Sequence, residues 1–110
     1  MRSLVLDELR RPDIEKLLEY LGATLTPAAM EGVYWLDLPP DLLSPEQTAH
    51  AECGPHRMAL VLEEESLRLE LLVRAHNSLR CHCTGYASPA QRQFLLGYMD
   101  RLIAELGLMT

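Results

Sequence analysis

Residues Met58 to Ala87, MALVLEEESLRLELLVRAHNSLRCHCTGYA, decide the fold. From Leu67 onward, Leu67, Leu69, Leu71, Val73 and Ala75 alternate with Arg68, Glu70, Leu72, Arg74 and His76, which is the period of two of a strand with one buried face. Reflection about a turn at Glu63 to Ser66 sets Leu62 opposite Leu67, Leu60 opposite Leu69 and Met58 opposite Leu71. Both strands then send their apolar side chains to the same face. A three-residue loop of His76, Asn77 and Ser78 pairs Ala75 with Leu79, Val73 with Cys81 and Leu71 with Cys83. A two-residue loop sets Leu79 against His76 and drives polar residues into the core. The expectation is therefore a three-stranded antiparallel meander with Cys81 and Cys83 facing inward and Arg80 and His82 facing outward.

Working outward, residues 12 to 21, PDIEKLLEYL, carry the signs of a helix. Pro12 suits the first turn, Asp13 and Glu15 suit the positive end of the helix dipole, and Ile14, Leu17, Leu18 and Leu21 form one stripe. Gly22 is the expected stop. Before it, Leu4, Val5, Leu6 and Leu9 fit a short helix or a strand equally well. Thr26-Pro27 and Glu31-Gly32 mark turns in residues 23 to 32, and Val33 to Leu38, VYWLDL, has the β-branched and aromatic content of a fourth strand, ended by Pro39-Pro40. Ser44-Pro45-Glu46-Gln47 and Ser88-Pro89-Ala90-Gln91 share one pattern, a capping box with proline at the first helical position. Each should open a helix: a brief one ending near Ala51, and a long one whose stripe is Leu95, Met99, Leu102 and Leu106, stopped by Gly107. At about 1.5 Å per residue that second helix spans about 27 Å, enough to cover the sheet. The fold expected is α+β, one domain over residues 1–110, with a mostly antiparallel four-stranded sheet and helices on one face.

Composition narrows the function. A chain of 110 residues buries roughly two-thirds of its unfolded surface and needs no disulfide or metal to fold. Three cysteines, an odd number, and an N-terminal segment that reaches Asp7 too soon for a signal peptide point to the cytoplasm. The formal net charge of −6 disfavours nucleic acid and anionic membrane, both of which bind through clustered Lys and Arg. No apolar run is long enough to span a bilayer. Glycine-rich phosphate loops, nucleotide fingerprints and Ser/His/Asp arrangements are all missing from the sequence, which points away from an enzyme.

Two groups of residues remain as candidate sites. The first is the outer sheet face, where Arg57, Arg68, Arg74, Arg80 and His82 gather around Glu70 beside the apolar Ala59, Val61 and Leu72, with Phe94 on the flank of the last helix. These are the residues of a protein-interaction surface, whose simplest partner is a second copy of the chain. The second is His50-x2-Cys53-x2-His56 with Cys81-His82-Cys83, holding all three cysteines and three of the four histidines. Thiolate and imidazole suit a soft tetrahedral ion. Cys53, His56, Cys81 and Cys83 are the expected zinc ligands, with His50 as the alternative fourth. Against zinc, the expected register buries Cys81 and Cys83 as small apolar residues. A thiol redox protein is the third reading, with Cys53, in its Gly-Pro loop, as the most reachable thiol.

Overall fold

Alternation and turn chemistry place the central strands where expected, while the ends of the sheet are built differently. The structure, a computed structural model, describes residues 1–78 and 80–110. In chain order its elements are β1 (Ser3–Leu6), α1 (Arg11–Thr24), β2 (Thr26–Pro27), β3 (Val33–Asp37), α2 (Pro45–Ala49), β4 (His56–Leu62), β5 (Leu67–Glu70), β6 (Leu72–Ala75), β7 (Gly85–Tyr86) and α3 (Pro89–Leu106). The sheet is antiparallel and runs β1-β5-β4-β3-β2, with β6 continuing the line of β5 along β4 and pairing β7. It therefore has seven strands rather than four. β1 and β2 come from segments whose local sequence is ambiguous, and partners β5 and β3 decide them.

The hairpin at Glu63–Ser66 closes as expected through Glu63 N–H to Ser66 C=O at 2.9 Å. Leu62 pairs with Leu67 and Leu60 with Leu69, but Met58 does not pair with Leu71. Further along, His56 pairs with Ala75 and Arg57 with Arg74. Between these registers only Met58 and Ala59 lie on β4, against Glu70, Leu71, Leu72 and Val73 on the other side. The bulge thus adds two residues, and an even insertion keeps every side chain on its face. Leu67, Leu69, Leu71, Val73 and Ala75 all remain buried. At the bulge, Leu71 turns its backbone to other partners: its N–H donates to Arg2 C=O at 2.9 Å and its C=O accepts from Ala87 N–H at 2.8 Å.

The third meander strand is the main correction. Val73 pairs with Gly85 and Leu72 with Tyr86, four positions later than expected, so Cys81 and Cys83 lie in the loop between β6 and β7. The expected Ala75–Leu79 pair involves Leu79, which lies outside the described residues. The loop is long because its polar groups bond among themselves: Cys81 N–H to Ser78 C=O (3.3 Å), Thr84 N–H to Cys81 C=O (3.1 Å), and Thr84 Oγ1 accepting from Ala75 N–H (3.3 Å). These bonds replace the ladder of a strand.

α1 and α3 pack on the inner face, where Leu17, Leu21, Leu95 and Leu102 are buried with Met58, Leu60, Leu67 and Leu69 in one cluster. Leu18, expected in the stripe of α1, is 54 % exposed. Gly22 does not stop α1, which runs on to Thr24. Both capping boxes form as expected: Ser44 Oγ accepts from Gln47 N–H at 3.1 Å and Ser88 Oγ from Gln91 N–H at 3.2 Å. Gly107 ends α3 in the left-handed conformation, φ 61°, a geometry that glycine adopts at little cost. No helix among the described residues is long and apolar enough to cross a membrane.

Candidate metal centre

The cysteines and His50 are brought together by two short segments whose backbones are laced to each other. After α2, His50 sits at the helix C-cap and residues Ala51–Cys53 form one 3-10 turn, closed by Cys53 N–H to His50 C=O at 2.9 Å and Gly54 N–H to Ala51 C=O at 3.0 Å. The start of the β6–β7 loop clasps this turn. Asn77 N–H donates to Cys53 C=O (3.0 Å), Asn77 Nδ2 to Gly54 C=O (2.8 Å), and His76 N–H to Pro55 C=O (3.1 Å). Further along the loop, Cys81 and Cys83 pack against Cys53 of this turn.

Here Cys53, Cys83 and Ala75 form a buried cluster separate from the main core, with the half-buried Cys81 packed against it. One ring nitrogen of His50 and the sulfurs of Cys81 and Cys83 all lie within 4.8 Å of one another. Cys53 packs beside them in the same cluster, though its sulfur is not one of those three donors. Tetrahedral zinc with bonds of about 2.3 Å to sulfur and about 2.0 Å to nitrogen holds its donors roughly 3.5–3.8 Å apart. Shifts of about an ångström bring the His50, Cys81 and Cys83 donors to that spacing.

The hydrogen bonds prepare the donors. His50 Nδ1 lies 2.8 Å from Glu46 C=O, so this nitrogen carries the proton and Nε2 is the free lone pair. A second bond of this kind fixes tautomer and ring orientation in metal-ligating histidines. It also raises the His50 pKa, the Glu46 carbonyl being the first cause and the nearby Cys81 thiolate the second. Cys81 is lowered, because the Cys83 thiol and then the Cys83 N–H donate to it; the N–H to Sγ distance is 3.4 Å. Cys83 is pushed up to about 12, first by burial and then by Cys81. Cys53 is raised, first by its hydrogen bond to Cys81 and then by burial. Cys81 is thus the most acidic of the three thiols.

A polar brace supports the site from behind. Gln47 Nε2 donates to Cys83 C=O at 3.4 Å, while Gln91 Nε2 donates to Gln47 Oε1 and to Leu42 C=O, both at 2.9 Å. The two capping glutamines, buried at the starts of α2 and α3, so tie both helices to the cysteine loop.

Of the expected ligands, Cys81 and Cys83 are grouped with His50, the expected alternative, while Cys53 packs against them without joining that donor group. His56 is instead buried on the inner face of β4, paired with Ala75, and among the described residues its Nε2 has no hydrogen-bond partner. Burial, and then the charge of His50, lowers its pKa. The expected interaction residues divide. Arg57, Ala59, Val61, Arg68 and Arg74 share the outer sheet face, and Leu72 sits at its edge opposite Tyr86. Arg80 and His82 are exposed in the β6–β7 loop, and Phe94 is half-buried against the main core. A wider surface depression, about 1340 Å³, lies elsewhere, between Asp7–Ile14 and Glu64–Ser66. Its lining includes the carboxylates of Asp7, Glu8, Glu15, Glu64 and Glu65, and among the described residues these form no metal-holding group.

The chain matches no protein-family model, no curated protein and no solved structure. Its function has to be argued from its own residues. The brace of Gln47 and Gln91 is one feature that sequence reading missed, although the repeated Ser-Pro-x-Gln pattern marked both residues.

Proposed function

We propose that the protein binds one zinc ion through Cys53, Cys81, Cys83 and the Nε2 of His50. The observation that carries this reading is the grouping of Cys81 and Cys83 with a histidine whose Nδ1 is already committed to the Glu46 carbonyl, with Cys53 buried against the same pair. Three thiolates and one imidazole form a closed set of the kind zinc uses in structural sites. The ion's role follows from where the donors come from. It fastens the β6–β7 loop, which has few ladder bonds of its own, to the turn after α2. Bound zinc also relieves the electrostatic problem of the site by stabilising as thiolates the two thiols whose pKa values are raised.

The test is elemental analysis of untagged protein with thiol titration in native buffer. The expected result is one zinc per chain with all three thiols protected until a chelator is added. His50→Ala should weaken zinc by about two orders of magnitude or more, beyond the 10–100-fold typical of losing an outer-shell partner, while His56→Gln should keep full stoichiometry. Thiols that stay freely reactive in excess zinc would sink the proposal and leave Cys81 as the activated thiol of a redox protein.

A further inference from the structure

The outer sheet face has a different character from the metal centre. Both long helices pack on the inner face and leave this one to its own side chains. Met30, Val33, Trp35, Ala59, Val61 and Arg68 line a groove of about 420 Å³ across β3, β4 and β5. Its floor is the row Val33–Val61 beside the row Trp35–Ala59, and Met30, 72 % exposed, stands at one wall.

The charges around it are distinctive for a chain of net charge −6. Three guanidiniums face two carboxylates. Arg57 is bonded to Asp37 at 3.1 Å and lies over the Trp35 ring at 5.7 Å, and Arg74 is bonded to Glu70 at 3.0 Å. Arg68 takes part in no ion pair among the described residues, and its Nε is enclosed without a hydrogen-bond partner. The local charge is thus positive, and the surplus cation stands directly beside Val61.

We infer that this groove docks a segment of a partner protein that presents an apolar side chain to Trp35 and Val61 and a carboxylate to Arg68. Neighbouring strands are about 4.8 Å apart, so the anchor over Trp35 on β3 and the carboxylate at Arg68 on β5 sit about 10 Å apart. The groove is shallow and open, which leaves a free small acid half in water but suits a side chain whose backbone continues outside. Pro27 in the edge strand β2 lacks an N–H to donate, so recognition runs through side chains rather than strand addition. An unpaired guanidinium beside an apolar floor supplies orientation as well as attraction.

Trp35 is the only tryptophan, so its emission reports occupancy. The probes are synthetic peptides that place phenylalanine or leucine two to four positions before glutamate, and matched peptides with glutamine in its place. The carboxylate peptides are expected to give saturable changes in Trp35 emission. Binding should weaken about five-fold in the glutamine peptides and in Arg68→Gln, the scale of one half-exposed ion pair, and be lost in Val61→Asp. Circular dichroism checks that both variants fold, and chelator should leave binding unchanged, which separates this site from the zinc centre. Equal binding of the two peptide sets, binding indifferent to Arg68→Gln, or no saturation by millimolar peptide overturns the inference. So does concentration-dependent self-association in sedimentation that Val61→Asp abolishes, since a second copy would then be the occupant.

Discussion

His56 shows how one buried side chain sets the pH response of the fold. Its imidazole is 3 % exposed, and burial, followed by the charge of His50, lowers its pKa. Above the ordinary imidazole value of about 6.5 the group is neutral in both folded and unfolded chains. Below that value the unfolded chain takes up a proton that the folded chain resists, so stability is lost as the pH falls toward the folded pKa. His50 acts with the opposite sign: its raised pKa gives stability that is present below about 6.5 and lost as the pH rises through the folded value. In urea melts of zinc-free protein, His56→Gln should flatten the loss of stability on the acid side of neutrality. His50→Ala should leave that loss in place. An unchanged acid limb in His56→Gln would show that His56 is not the group responsible.

At the scale of elements, glycine has opposite meanings in two places. Gly22 lies inside α1, and a Cβ added there meets nothing within 4 Å, so Gly22→Ala should stabilise the fold by about 0.5–1 kcal/mol through helix propensity. Gly32 has φ 82°, and an added Cβ would lie 2.9 Å from Leu62 C=O. Gly32→Ala should cost about 2–3 kcal/mol from backbone strain and close contact together. Chemical denaturation of the pair decides both signs. The capping glutamines make a second case. Gln91 receives the Ser88 N–H and donates to Leu42 and Gln47, so Gln91→Ala should cost about 2–3 kcal/mol. A cycle with Gln47→Ala should show coupling of about 1 kcal/mol; strict additivity would mean that the brace does not act as a unit. Both caps were legible in the sequence because their chemistry is contained within four residues. Their meeting was not, because nothing in either motif encodes the other. The same limit explains the β6–β7 loop and the bulge at Leu71. Alternation reads identically after an even slip, so burial of Leu71, Val73 and Ala75 could be foreseen while their partners could not. The cysteines were read as a group from composition, and the choice of His50 awaited the turn that follows α2.

At the scale of the molecule, two apolar clusters divide the work. The main one joins α1 and α3 to the sheet, while Cys53, Ala75 and Cys83 form a small one under the proposed metal site. Because the large cluster contains none of the proposed ligands, the sheet and helices are expected to form without zinc. Removing the ion should therefore open the site and spare the rest. Chelation is expected to leave far-ultraviolet circular dichroism unchanged while amide exchange quickens in residues 50–55 and 76–84 and stays slow in α1, α3 and β4. Zinc should still raise the melting temperature by mass action, adding up to about 4 kcal/mol of stability when free zinc is a thousand-fold above its dissociation constant. Loss of helix on chelation would make the ion a condition of the whole fold. Exchange that stays the same in both segments would mean that the loop is held by Asn77, His76 and the glutamine brace alone. The expected pattern lies between these limits because the backbone bonds to Cys53, Gly54 and Pro55 position the start of the loop, whereas residues 80–83 reach the turn after α2 mainly through their sulfurs and the 3.4 Å bond from Gln47.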